Sequence, residues 1–387
     1  MMKKIALLSL AFAISAPLYA DSLHIFRLSE DGIPGQTEPQ LMGFSISANG
    51  RYVCGAIEMA TGIFVADSQT GEVKWKMGEN SGGELRGVNN EGVGIGFFDD
   101  GGMLFSFSTD SGSLIPVPSG YRSVQGESIS NDGSVMAGSF TGSSFNTLAA
   151  YSRDGGEWSL LPLPSDDEIG NLKDKYNENM SSAKFVSGDG KIIMGHVGSF
   201  SFPIIWKLDD NGEYVPDFFP ARYVKGTEAD LEDDTKELYN LAAMYTCMSN
   251  NGKYAGGVGV IKGGPYDELF VVPVIYNTES KTLKIYKDVQ EIDEMGIGLY
   301  PRAIADDGTF VGTVGQPQTG STGSFIMRAG QEQAELFVDA FPAYAETLGF
   351  SDAIGYNVPT GISADGKYIL GYTYFSEDFE ITSSEPA

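Results

Sequence analysis

The chain has 387 residues, 42% of them hydrophobic, and carries 52 acidic against 25 basic side chains, a formal charge of −27. That balance argues against nucleic acid and anionic membrane surfaces as partners, because both would repel the protein. With only two histidines and two cysteines, a histidine-based catalytic or zinc centre has almost nothing to draw on.

The chain opens with Lys3 and Lys4, an apolar run from Ile5 to Ile14, and Ser15-Ala16-Pro17-Leu18-Tyr19-Ala20. This pattern predicts a signal peptide over residues 1–20, cleaved after Ala20. The expected location is therefore secreted or periplasmic, with no lipoprotein cysteine at the cleavage site. No later apolar run is long enough to span a membrane. Residues 21–387 are expected to form one domain. Its first segment, Leu23 to Leu28, alternates like a strand.

Seven copies of a short phrase follow. It reads Ser-Ala-Asn-Gly at 47–50, Asn-Asn-Glu-Gly at 89–92, Ser-Asn-Asp-Gly at 130–133 and Ser-Gly-Asp-Gly at 187–190. It returns as Ser-Asn-Asn-Gly at 249–252, Ala-Asp-Asp-Gly at 305–308 and Ser-Ala-Asp-Gly at 363–366. An apolar residue precedes every copy: Ile46, Val88, Ile129, Val186, Met248, Ile304 and Ile362. A glycine follows each turn glycine after four or five residues: Gly55, Gly96, Gly138, Gly195, Gly257, Gly312 and Gly371. Asn-Gly and Asp-Gly supply the backbone of a tight hairpin, so each unit opens with strands A and B. Later turns at Thr70-Gly71, Ser111-Gly112, Asp154-Gly155-Gly156 and Asn211-Gly212 add strands C and D. The expected fold is all-β: a seven-bladed propeller of four-stranded antiparallel blades. The last unit is short, so Leu23–Leu28 is expected to supply its missing strand and close the ring against residues 379–384.

The turn phrase resembles two groups of bacterial propeller repeats, the HAF repeat of extracellular proteins and the Ser-Pro-Asp-Gly blades of the Tricorn and TolB type. The likeness spans residues 44 to 375 but rests on about ten residues per blade. It implies the propeller fold and an extracytoplasmic binding role. The sialidase Asp-box differs, since Asp189-Gly190 and Asp365-Gly366 are adjacent.

The spacing between phrases grows from 42 and 41 residues to 57, 62, 56 and 58. The extra length reads as four short helical inserts. They begin at Ser165-Asp166-Asp167-Glu168, at Thr227-Glu228-Ala229-Asp230 (followed by Leu231, Leu238 and Leu241), at Asp288 and at Asp339. Propeller topology puts them all on one face. Its rim would be acidic (Glu228, Asp230, Asp288, Glu291) and aromatic (Tyr223, Tyr239, Tyr266, Tyr300, Tyr344, Tyr356).

One position varies freely. Three residues before each phrase stand Phe44, Arg86, Glu127, Lys184, Thr246, Arg302 and Thr360. It is expected at the start of strand A, where the channel opens on the decorated face. Arg86, Glu127, Lys184, Tyr245, Arg302 and Tyr300 are therefore the candidate ligand-binding residues. The competing reading is a self-neutralising ring of ion pairs. Cys54 and Cys247 fall on blades that are not neighbours, so two free, buried thiols are expected. His24 and His196 read as structural. No nucleophile elbow, phosphate loop or EF-hand loop is present in the sequence, and no catalytic residue, metal or cofactor is assigned.

Two functions are compatible with this pattern. The first is a non-catalytic, monomeric binding module for a protein or glycan, using the decorated face and funnel. The second is an extracellular carbohydrate-active hydrolase or lyase drawing on rim carboxylates and tyrosines.

Overall fold

In the computed structural model, the residues described are 8–15, 22–26, 41–57, 61–79, 82–99, 101–144, 146–169, 180–198, 202–217, 238–263, 268–286, 298–316, 320–342 and 357–375. Strands β1 (Leu8–Ser15) and β2 (Ser22–Phe26) come first. Six blades follow, each of four consecutive antiparallel strands. They are β3–β6 (Leu41–Ile46, Tyr52–Ile57, Gly62–Asp67, Val73–Met77), β7–β10 (Gly83–Val88, Val93–Phe98, Gly101–Ser106, Ser111–Leu114) and β11–β14 (Tyr121–Ile129, Val135–Gly142, Thr147–Arg153, Ser159–Leu160). Then come β15–β18 (Ser181–Val186, Ile192–Val197, Phe202–Leu208, Tyr214–Asp217), β19–β22 (Leu238–Met248, Tyr254–Gly263, Glu268–Asn277, Thr282–Ile285) and β23–β26 (Gly298–Ile304, Phe310–Gln316, Gly320–Met327, Glu335–Leu336). The final strands, β27 (Asn357–Ile362) and β28 (Tyr368–Phe375), join β1 and β2 in a composite sheet of order β2-β1-β28-β27. The innermost strands touch in sequence, and β27 returns to β3.

The core lies between blades. Tyr52, Cys54, Ile63 and Val65 of the first blade pack on Leu85, Val88, Phe98, Met103 and Phe105 of the second. Trp206 and Ile193 of the fourth pack on Val135, Ala137 and Ala149 of the third. Burial of this kind contributes about 25 cal/mol per Å² of apolar surface, so each blade is stabilised mainly by its neighbours.

The repeated phrase is a turn held by its own side chains. Ser187 Oγ is fully buried; it donates to Asp189 Oδ1 (2.7 Å) and accepts from the Ile192 amide (3.0 Å). The glycine that ends each phrase has φ between +71° and +93°, a region open to glycine and strained for other residues. Where the serine is replaced, another group takes over. Asn89 Oδ1 accepts from both Glu91 and Val93 amides. Beside Ala305, Thr309 bonds Asp307 instead.

The turns also bond to one another in a closed circuit. Asn90 donates its amide to Asn131 O, Asn131 to Gly188 O, and Gly188 to Asn250 O. Asn251 donates to Asp306 Oδ1, Asp306 to Ala364 O, Ala364 to Ala48 O, and Asn49 to Asn90 Oδ1. Gly188 is crowded here: a methyl group there would lie closer than 3.0 Å to the side-chain carboxamides of Asn131 and Asn250.

The expectation of a seven-bladed propeller, closed by the N-terminal strand and carrying helical inserts, is corrected in three respects. Six blades, not seven, are built from four consecutive strands; the remaining sheet is assembled from both ends of the described chain. Its third position is not filled by residues 379–384, which lie outside the described residues. It holds β1, paired from Leu8↔Phe375 to Ser15↔Tyr368, and β2 pairs with β1. An apolar run that reads as a secretory leader thus pairs as a strand. Finally, only two four-residue helices are found among the described residues, α1 (Asp166–Ile169) and α2 (Phe337–Ala340). The capping box at Ser165 is formed, with Ser165 donating its amide and hydroxyl to Glu168. Leu238 and Leu241 lie in β19, where cross-strand pairing overrides their helical spacing. Residues 227–237 and 288–296 lie outside the described residues. Ser111-Gly112 begins β10 rather than forming a turn.

Candidate functional site

Every innermost strand carries a β-bulge, and the freely varying residue is the bulged one each time. The register shifts fall between Gly43/Ser45, Leu85/Gly87, Gly126/Ser128, Ala183/Phe185, Tyr245/Cys247, Pro301/Ala303 and Pro359/Gly361. A bulge adds one unpaired residue and re-aims its side chain. The same geometry explains the repeated glycine on strand B. A methyl group at Gly55, Gly96, Gly138, Gly195 or Gly312 would lie closer than 3.0 Å to the carbonyl oxygen of Met42, Glu84, Gln125, Ser182 or Tyr300, on the bulged strand opposite. The variable residue and the repeated glycine are two sides of one device. Its position differs from the expected channel mouth: Arg86 and Lys184 are each fourth in a six-residue strand and Arg302 fifth of seven, in the half nearer the A–B turn.

The bulged residues divide into two arcs. In the first, Arg86, Glu127 and Lys184 come together from three successive blades. Glu127 is 5% exposed at its side chain, and its Oε1 lies 2.6 Å from both Arg86 Nη1 and Lys184 Nζ. Glu84 completes the cluster on the other side of Arg86. Burial works against the Arg86 charge, but Glu127 and Glu84 more than offset it and raise its pKa. Two cations and two anions cancel.

His196 stands beside this arc, opposite Ser182 in the β15–β16 pairing. Burial, and then the Lys184 charge, lower its pKa from 6.5 to about 4. The folded state therefore keeps His196 neutral. Its contribution to stability is complete above pH 6.5 and is lost as the pH falls toward 4, by about 3 kcal/mol for a shift of this size. Denaturation of wild type and His196→Gln at several pH values checks this: the stability difference should shrink on acidification from pH 7 to pH 4. A constant difference would count against it.

The second arc is wired differently. Thr246 Oγ1 donates to the Pro301 carbonyl, and Thr360 Oγ1 to the Gly43 carbonyl at 2.7 Å. Phe44 meets Tyr372 edge-on at 6.4 Å. Arg302 is exposed. Its one hydrogen bond among the described residues runs from Nε to Thr313 Oγ1 at 3.4 Å, and no carboxylate there pairs with it. Tyr300 is half-buried two residues earlier on β23; burial raises its pKa while the Arg302 charge opposes the rise. Cys247 lies within reach of the same charge, yet burial pushes its thiol up to about 12. Both Cys54 and Cys247 are free and buried, as expected.

Of the six candidate residues, the structure thus brings Arg86, Glu127 and Lys184 together, and places Tyr300 and Arg302 on one strand. Tyr245 belongs to β19, and its side chain lies outside the described residues. The rim residues Tyr223, Glu228, Asp230, Tyr266, Asp288, Glu291, Tyr344 and Tyr356 also lie outside them. Sequence reasoning missed the pairing of His196 with Ser182, whose Oγ is buried without a hydrogen-bond partner among the described residues. Each lies one residue from the Gly195↔Ala183 pair, so the repeated glycine was the available signal. No group of three His, Cys, Asp or Glu side chains able to hold a metal is found among the described residues.

No protein-family model matches the chain. No curated protein matches it either. Solved structures do. An oligogalacturonate lyase in complex with manganese superposes with a TM-score of 0.51 at 11% identity, covering 97% of this chain and 99% of that one. A putative TolB from Agrobacterium tumefaciens gives 0.44 at 11% identity, covering 96% and 99%. The β-propeller domain of the Trilobed protease from Pyrococcus furiosus gives 0.43 at 14%, covering 89% and 100%. The chain is a β-propeller.

Proposed function

We propose that this protein is a non-catalytic, extracytoplasmic binding propeller that takes a protein or glycan ligand at its channel. The observation that carries this reading is the ring of bulges. It places one freely varying side chain per inner strand on a rigid scaffold. The likeness of the turn phrase to HAF and TolB-type repeats supports the extracytoplasmic part. The alternative is a carbohydrate-active hydrolase or lyase; it is kept because the lyase neighbour has the same fold, and fold alone does not fix function.

Incubation of the full chain with an array of glycans, followed by product analysis, tests the reading. Retention without new reducing ends or unsaturated products is expected. Turnover of any member of the array would establish the alternative.

A further inference from the structure

We propose that the channel carries one anion subsite, at Arg302, and that it takes the carboxylate of a small ligand. Arg86 and Lys184 have no part in it. The inference rests on the binding reading above and makes it specific.

Three cations stand on the bulge ring, and their chemistry is unequal. Arg86 and Lys184 share the Glu127 carboxylate, and Arg86 also holds Glu84. An incoming anion would have to break those pairs and would meet two carboxylates at close range. Among the described residues, Arg302 meets neither obstacle. Its Nε makes one long bond to Thr313, which leaves both Nη groups with no acceptor among the described residues. In a chain with 52 acidic residues for 25 basic ones, an exposed inner-strand guanidinium with no carboxylate partner among the described residues stands out as a position open to an anion. A guanidinium fork holds a carboxylate through two parallel bonds. Tyr300, on the same strand, adds a ring and a hydroxyl, so the matching ligand presents a flat or apolar body next to its carboxylate. Thr313 is 2% exposed and fixes the guanidinium from behind.

The test uses benzoate and benzamide, which share a ring and differ in charge. Thermal unfolding of the full chain is followed at constant ionic strength across a concentration series of each. Benzoate should raise the midpoint in a saturable way and benzamide should not, as expected when a ligand binds only the folded state. Arg302→Gln should weaken benzoate at least tenfold, and Arg302→Lys should weaken it less. Arg86→Gln should leave the benzoate response intact, with native circular dichroism confirming its fold. Equal responses to the two probes, full binding by Arg302→Gln, or loss in Arg86→Gln with the fold intact would overturn the proposal. A chain retained on the glycan array but blind to benzoate would end the carboxylate subsite and leave the binding reading standing. An Arg302-dependent benzoate response with a silent array would keep the subsite and remove glycans from the binding reading.

Discussion

Gly195→Ala is expected to destabilise the protein by about 3 kcal/mol or more, although it adds a single methyl group. That methyl would fall on the Ser182 carbonyl oxygen, with Ala183 Cα also closer than 3.0 Å. Both are backbone, so no rotamer change relieves the clash. Either β15 gives up its bulge or the β15–β16 pairing opens. Ordinary overpacking costs about 1–3 kcal/mol, and a clash that dismantles a ladder belongs at or above the top of that range. Gly101→Ala is the matched control. Gly101 is also in a strand, but the nearest atom to its new methyl would be the Leu114 side chain at 3.5 Å. That variant should change stability by under about 1 kcal/mol. Equal effects of the two substitutions in chemical denaturation would remove the bulge from the account of the repeated glycine.

Glu127→Gln is expected to cost about 2–4 kcal/mol. Removing one partner of a buried ion pair leaves an uncompensated charge, typically a loss of about 3–5 kcal/mol. The side chains of Arg86 and Lys184 are 30% and 33% exposed, so water screens part of that. Lys184 should suffer more than Arg86, because Arg86 keeps Glu84. A double-mutant cycle with Lys184→Met separates the pair: removing the stranded ammonium should restore part of the loss, with a coupling of about 1–3 kcal/mol. Strictly additive losses would show that the carboxylate and the ammonium do not stabilise each other.

What could be read from the sequence was whatever depends on near neighbours in the chain. Ser187, Asp189 and Gly190 make their turn within four residues, and the Ser165 capping box closes over three. The freely varying position was also visible, because a bulge interrupts the alternation of Ala183, Lys184 and Phe185. Its depth in the channel was not, since the added residue upsets any count from the strand's start. Closure was legible in the outermost strand, β2, and not in the strand beside it. Leu8 to Ser15 has the composition of a leader and of a buried strand alike, and only its pairing with Tyr368–Phe375 distinguishes the two. Arg86, Glu127 and Lys184 were picked out individually. Which of them neutralise one another depends on the approach of three blades, 41 and 57 residues apart in sequence.

The circuit of bonded turns acts mechanically as a hoop. Each blade is anchored at its inner end to the next, so widening the channel at any point would stretch hydrogen bonds all the way around. A wider bore would therefore have to break bonds of the circuit. For a ligand bound in the proposed way, little ordering of the backbone would remain to oppose binding. Diversity among channels of this design would come from exchanging single bulged side chains inside an unchanged hoop.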